Sequence, residues 1–335
     1  MKIAKKLIAF TLAALMLVSL FACGQTPSQN EEKALKIGVL SGTTGMGAAK
    51  LMEDLNALGG TSEQYESIKI YTDPSAILSD MIGGNIDIAA MPTNAAATLY
   101  NKSQGKVSVV ALNTLGVLYI LDNTGSVKSL SDLSGKTVYV ATPGQTPEYI
   151  FKNILNKAGI ENVTLAYDYT DLDSLTSAVA GGIAEIALLP EPKVTIAMSQ
   201  AKAGGNTNLS IAVDLTKEWN AVEENPVTQG CIVARNEIIE KYPASLEKFL
   251  SDYEESIKFI SAEENLDAAA NCIANVGILP KAPIAKSALP KCNIVYIDGE
   301  EMKSAMESFL KVLFDMDKTA IGGKLPDENF YYVAK

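Results

Sequence analysis

The chain has 335 residues, of which 28 are lysine or arginine and 39 are aspartate or glutamate, for a formal net charge of −11. This balance lacks the basic footprint of nucleic-acid-binding proteins, so we expect no nucleic-acid partner. The sequence contains no histidine, which excludes imidazole metal ligands and histidine-activated nucleophiles, and we expect no metal and no cofactor. On composition alone, catalysis by carboxylates, lysine or tyrosine stays open.

The N-terminal residues have the pattern of a secretory signal. Three lysines precede an apolar run at 7–20 that is too short for a stable membrane span. The segment LFACG that follows, with its cysteine at Cys23, resembles the lipobox of bacterial lipoproteins, although Phe21 is bulkier than the residue usual there. The resemblance implies a lipid anchor on Cys23 and a place outside the cytoplasm on a bacterial cell membrane. An ordinary cleaved signal with an incidental cysteine is the alternative.

The next part of the chain alternates predicted strands with predicted helices. Short apolar, β-branched runs indicate the strands, and apolar residues at helical spacing indicate the helices between them. The predicted strands are 35–40, 67–71, 86–91 and 107–112, and the predicted helices are 48–58, 74–82 and 94–102. Alternation at these lengths predicts a mostly parallel sheet with helices on both faces.

The same series returns about 100 residues later. The clearest match is GGNIDIAAMP at Gly83–Pro92, which returns as GGIAEIALLP at Gly181–Pro190. The shared glycine pair, acidic residue and final proline favour two similar α/β lobes over a coincidence among apolar strands. The second series of predicted strands is 137–141, 163–167, 184–189 and 209–213.

Two crossings between the lobes predict a hinge. The run at 107–122 is long for one strand and contains Gly116, and a second run at 229–234 is the natural return. The chain also exceeds the size at which a single core stops growing. The predicted organisation is a signal peptide (1–22), a linker (23–34), lobe 1 (35–116 plus 230–335) and lobe 2 (117–229), each lobe having a mostly parallel five-stranded sheet.

Cys231, Cys272 and Cys292 remain after the signal. An odd number without CxxC spacing is a weak disulfide signal and no zinc signal. A bridge between Cys272 and Cys292 and three separate thiols both stay open.

Three segments resemble a known family. Ser129–Val138 (SLSDLSGKTV) is similar to the segment where the family's chain enters its second lobe, Ala178–Pro192 to a strand and its turn, and Glu240–Pro243 to the helix start after the return. In this order they resemble the nitrate, sulfonate, taurine and thiamine-pyrimidine group of ABC transporter solute-binding lipoproteins. The resemblance implies the type II periplasmic-binding fold, a small-molecule solute, a permease and an ATPase as partners, and a monomer. Together with the export signal, it implies a binding protein and not an enzyme.

The candidate ligand residues stand in turns. In such sheets ligands bind outside the carboxyl ends of the strands, and turns that lead into helices offer free N–H groups to a polar or anionic group. Simple helix capping is an equal alternative for Ser41 and Thr142. The predicted ligand-binding residues are Ser41, Gly42, Thr43, Thr44, Met91, Thr93, Asn94, Asn113, Thr142, Gly144, Gln145, Thr146, Tyr167, Glu191 and Trp219.

Two of these residues carry the sharpest expectations. Glu191, between two prolines, is placed to accept from an amino or amidine group, or to pair with Lys193 or a hinge residue. Trp219 is expected either to stack on a flat ligand or to pack in an apolar wall.

The sole arginine, Arg235, and the lack of lysine in these turns favour an aminopyrimidine-like solute over a sulfonate, taurine or nitrate-class anion. A ligand-sensing lipoprotein without an importer, and an enzyme of the pyrimidine or menaquinone pathway type on the same fold, are the alternatives.

Overall fold

The structure is a computed structural model that describes residues 32–141 and 143–333. The predicted signal peptide, the predicted lipidation site Cys23 and the predicted ligand residue Thr142 lie outside these ranges. None of the helices within them is long and apolar enough to cross a bilayer.

The first part of the chain alternates strands and helices as predicted. Helix α3 shows why the local sequence folds this way: the Asp73 side chain caps its start by accepting from the Ser75 amide, Pro74 is its first residue, and Gly84 (φ 73°) follows its end. The elements are β1 (Leu35–Leu40), α1 (Thr43–Met46), α2 (Ala49–Ala57), β2 (Tyr65–Tyr71), α3 (Pro74–Gly83), β3 (Ile88–Pro92), α4 (Thr93–Ser103) and β4 (Val107–Leu115).

The middle of the chain repeats this alternation in a second sheet. Asp171 and Asp214 cap their helices by accepting from backbone amides in the first turn. The elements are β5 (Leu118–Asp122), β6 (Thr137–Val140), α5 (Thr146–Lys157), β7 (Thr164–Ala166), α6 (Leu172–Ala180), β8 (Ile186–Pro190), α7 (Lys193–Ala203), β9 (Ser210–Asp214) and α8 (Leu215–Val222).

The last part returns to the first sheet and ends in helices. The strand β11 was not predicted, because its short run forms a strand only where the edge of β4 receives it. The elements are β10 (Thr228–Arg235), α9 (Asn236–Lys241), α10 (Pro243–Ser261), α11 (Leu266–Asn275), α12 (Ala282–Ala288), β11 (Ile294–Ile297) and α13 (Gly299–Met316).

The two sheets share one strand order. The first is β11-β4-β10-β3-β1-β2 and the second is β7-β6-β8-β5-β9, so β4-β10-β3-β1-β2 corresponds to β9-β5-β8-β6-β7. In each sheet the strand after a crossing, β10 or β5, is antiparallel to both neighbours, whereas the three strands beyond it pair in parallel. The predicted two-lobed fold is confirmed, with two corrections. The strand β11 makes the first sheet six-stranded, and both sheets are mixed rather than mostly parallel, because β10 and β5 run antiparallel to their neighbours and β11 runs antiparallel to β4.

We call the six-stranded sheet with its helices the first lobe and the five-stranded sheet with its helices the second lobe. The helix α13 packs against both, because one hydrophobic core contains residues from each sheet and from this helix. Trp219 of α8 contacts Phe309 of α13 edge to face, with ring centroids 5.8 Å apart. The described chain holds its cysteines as separate buried thiols at Cys231, Cys272 and Cys292.

Candidate functional site

The turn after β1 lies against the strand that leaves the first lobe. Ser41 and Gly42 are half-buried, whereas Thr43 and Thr44 are buried. Asn113 on β4 donates from Nδ2 to the Thr44 carbonyl at 2.9 Å and to the Tyr253 hydroxyl at 3.0 Å. These bonds fix the turn, so the buried Asn113 amide is already engaged within the protein.

The turn after β3 joins α4 to the strand that returns from the second lobe. The Thr93 hydroxyl donates to the Thr228 carbonyl at 2.5 Å. Thr228 is fully buried, and its own hydroxyl has no hydrogen-bond partner among the described residues. Met91 is a buried core residue, whereas Asn94 is half-buried at the start of α4. An unpaired buried hydroxyl therefore lies beside one of the predicted ligand turns.

In the second lobe, Glu148 organises the loop before α5. Its carboxylate accepts from the Gly144 amide at 2.6 Å and the Tyr167 hydroxyl at 2.8 Å, and it pairs with Lys152. Burial raises the pKa of Glu148, but the bonds from Lys152, Gly144 and Tyr167 together outweigh burial and lower it. The ionised carboxylate thus connects the turns that follow β6 and β7.

Thr146 starts α5 at the same loop. Its hydroxyl is buried and, like that of Thr228, has no hydrogen-bond partner within the described ranges. The preceding Gly144 and Gln145 are exposed. A buried polar group without a partner costs free energy, so Thr146 marks a place where a polar group is missing from the protein's own network.

Glu191 follows β8 and is buried, with its side chain 0% exposed. It accepts from the Thr195 amide at 3.2 Å and hydroxyl at 3.0 Å, and Lys291 Nζ lies 3.3 Å from Oε1. Burial raises the pKa of Glu191 more than Lys291 and Thr195 lower it. Lys193 pairs with Asp173 instead, so the pairing expected with Lys193 or a hinge residue is made by Lys291.

Trp219 requires a correction. It is 1% exposed, packs on Phe309 and donates from Nε1 to the Asn225 carbonyl at 2.8 Å. Its ring faces and its only donor are therefore used inside the core, and the packing role replaces the ligand contact.

Arg235 lies at the outer end of the first sheet, opposite Val107 at the start of β4. Its Nη1 lies 3.8 Å from Asp87 Oδ1, and its Nη2 lies 3.0 Å from Glu237 Oε2. Because β3 and β4 both begin at this end, the arginine is separated by their length from the turns at their carboxyl ends.

The sequence did not reveal several residues whose side chains stabilise these turns. Glu148 had a visible signal, since Lys152 follows it at the i,i+4 spacing of a helical ion pair. No local signal marked the other three, because each has its partner more than 90 positions away in the chain. These pairs are Thr228 with Thr93, Lys291 with Glu191, and Asp317 with Tyr149.

Comparisons with known proteins agree with this architecture. A family model described as "ABC transporter, phosphonate, periplasmic substrate-binding protein" matches residues 47–275. No curated protein is similar enough in sequence to match.

Solved structures share the fold. An ABC transporter structure from Parabacteroides distasonis is 23% identical, with coverage of 91% of this chain and 100% of its own and a TM-score of 0.72. The periplasmic aliphatic sulphonate binding protein SsuA from Escherichia coli is 17% identical over 91% and 94% of the chains, with a TM-score of 0.67. The periplasmic nitrate-binding protein NrtA from Synechocystis is 13% identical over 86% and 82%, with a TM-score of 0.59. Because the family model spans more than half of the sequence, this chain belongs to the periplasmic substrate-binding family of ABC transporters that the model describes.

Proposed function

We propose that this protein captures a small organic solute between its two lobes and delivers it to the permease and ATPase subunits of an ABC importer. The family is that of a transporter component that works outside the cytoplasm, which supports a binding role rather than an enzymatic one. The lipid anchor at Cys23 and a monomeric state belong to this proposal. Closure on the solute would select the conformation that the permease recognises.

The observation that carries the proposal is the Thr146 hydroxyl. It lies in a predicted ligand turn at the start of α5, is buried, and has no hydrogen-bond partner among the described residues. The Thr228 hydroxyl has the same property beside the α4 turn of the first lobe. Unpaired buried hydroxyls beside turns of both lobes support a polar solute that supplies the missing bonds.

The favoured solute class is aminopyrimidine-like. The sole arginine is engaged with Asp87 and Glu237 at the far end of the first sheet, which argues against an arginine-bound anion. Sulfonate, taurine or nitrate-class anions are the second candidate, supported by the start of α4, where no side chain caps the first-turn N–H groups.

The test is a melting-temperature screen of the purified protein against two panels, one of aminopyrimidines and one of sulfonates, phosphonates and nitrate. A solute present at 100 times its Kd should stabilise the protein by about 2.7 kcal/mol. Thr146→Val should reduce the shift, whereas Thr164→Val, an exposed position on β7, should not. No shift from either panel, or equal shifts in wild type and Thr146→Val, would count against this site.

A further inference from the structure

Lys291 links the two lobes through both its side chain and its backbone. It ends the short turn Leu289–Lys291 between α12 and β11, in the part of the chain that has returned to the first lobe. Its Nζ lies 3.3 Å from Glu191 Oε1, and its carbonyl accepts from the Tyr119 hydroxyl at 3.2 Å. Glu191 and Tyr119 belong to the end of β8 and to β5, so both contacts reach the second lobe.

The carboxylate of Glu191 depends on this contact for its charge balance. The Glu191 side chain is 0% exposed. Among the described residues, Lys291 supplies the cationic group within ion-pair distance of this carboxylate. Thr195 supplies two hydrogen bonds but no charge. A buried carboxylate deprived of its cation is strongly unfavourable, so the ionised form of Glu191 costs less to bury while Lys291 lies beside it than after Lys291 is removed.

The helices α7 and α12 are in contact on this flank. An open pocket of about 720 Å³ lies beside their contact and is lined by Met198, Ile211, Ile284 and Lys291. The ammonium of Lys291 also donates to the Ser287 carbonyl of α12, which holds it in place from the first-lobe side. The ion pair with Glu191 and the bond from the Tyr119 hydroxyl are thus the polar contacts that Lys291 makes with the second lobe, and the ion pair is the charged one.

We infer that Lys291 is a positioning residue for the solute-binding cleft: it holds the lobes in the arrangement of this structure, here called closed because Lys291 bridges them, by neutralising the buried carboxylate of Glu191. The inference rests on the proposed function for its use, because closure matters only if a solute is captured. When the lobes separate, Lys291 leaves and water must hydrate Glu191. Glu191 then acts on the solute indirectly, through the arrangement of the lobes.

This mechanism predicts an asymmetric pattern of substitutions. Lys291→Met leaves the buried carboxylate without a cation, so opening is favoured because it hydrates Glu191. Glu191→Gln removes the charge that needs neutralising, and Lys291, already 29% exposed, is hydrated without opening. The double variant Glu191→Gln/Lys291→Met should therefore be closed again, whereas simple loss of contacts would make it the most open of all.

The experiment measures the distance between the lobes without solute. Leu58 and Ile183 are 71% and 74% exposed, one in each lobe, and Leu58→Cys with Ile183→Cys accepts a dye pair in a Cys23→Ser background, since the other cysteines are buried. Lys291→Met should raise the ratio of open to closed molecules about tenfold or more, and Glu191→Gln and the double variant should stay within about threefold of the parent. Lys291→Arg should retain the closed arrangement.

Lys286→Met is the matched control, because it removes an ion pair of α12 with Asp267 that lies within the first lobe. It should leave the distance unchanged. A closed Lys291→Met, or a double variant as open as Lys291→Met, would overturn the inference. If Lys291→Met does not fold, an open Glu191→Gln single variant overturns it equally. Because no solute is used, failure of the solute screen and failure of this inference are separate results.

Discussion

Tyr149 and Asp317 are 168 positions apart, yet the Tyr149 hydroxyl donates to Asp317 Oδ2 at 2.7 Å. Tyr149 belongs to α5 of the second lobe, and Asp317 follows α13 and starts the turn Lys318–Ile321, which packs on α4 of the first lobe. This bond lies on the C-terminal helix side of the cleft, whereas Lys291 and Glu191 bridge the side of α7 and α12. C-terminal residues therefore connect the lobes through these two polar contacts and through the packing of Phe309 on Trp219, besides the strand crossings.

Tyr149→Phe should lower the denaturation midpoint and raise the pKa of Asp317. The hydrogen bond from Tyr149 is the largest influence that holds the pKa of Asp317 below its usual value. A carboxyl group with a lowered pKa stabilises the folded state at pH values above its pKa in the unfolded chain, and this stabilisation is lost as the pH falls through the lowered pKa. Urea titrations should show a lower denaturation midpoint for the variant than for the wild type at pH 7, and a smaller difference between the two midpoints at pH 3. In an Asp317→Asn background the pH-dependent part of the difference should vanish; if it persists, another titrating group is responsible.

Glu148→Gln should disorder the loop before α5. The variant loses the charged acceptor for Gly144, Tyr167 and Lys152, so we expect the free energy of unfolding at pH 7 to fall by about 1–2 kcal/mol. Since the pKa of Glu148 is lowered in the folded protein, this loss should be complete above pH 4.5 and fade as pH falls through the lowered value. Equal unfolding free energies at pH 7 in chemical denaturation would show that Glu148 does not hold the loop.

Gly230→Ala should destabilise the first lobe at its turn network. An added Cβ would lie 2.5 Å from Thr44 Cγ2 and 2.6 Å from Asn113 Oδ1, so we expect a loss of about 1–3 kcal/mol in the free energy of unfolding. Gly83→Ala is the control, because its nearest neighbour would be 3.5 Å away and it lies at the end of α3; it should be neutral or stabilising. Urea denaturation of both variants distinguishes a steric clash from a general cost of replacing glycine.

Trp219→Phe should weaken folding and leave solute affinity unchanged. The substitution removes the 2.8 Å hydrogen bond from Nε1 to the Asn225 carbonyl and part of the contact with Phe309. We therefore expect the free energy of unfolding to fall by about 1–3 kcal/mol. Melting temperature and solute titration in parallel would check this. Unchanged stability with lost affinity would restore Trp219 to the solute contacts.

The alternation of strands and helices, the internal repeat and the crossing near Gly116 were readable from the sequence, because each depends on residues close in the chain. Periodic apolar residues, the glycine pairs at Gly83 and Gly181, and the prolines after β3 and β8 act within one element or turn. Their recurrence at an offset of 98 residues sufficed to predict two similar lobes. The strand β11 escaped because its run at Ile294–Ile297 has no such local signal.

Only the tertiary structure decided which charged groups are paired and which aromatic rings are packed within the protein. The sequence left Glu191 open to a solute or to a pairing partner, and Trp219 open to stacking or to packing. In the structure Lys291 lies beside Glu191 and Phe309 packs on Trp219. These partners come from the C-terminal part of the chain, and no periodicity or spacing links residues that far apart. Composition and local pattern thus determined the lobes and the exclusion of histidine chemistry, whereas long-range packing determined which turn residues keep unpaired polar groups for a ligand.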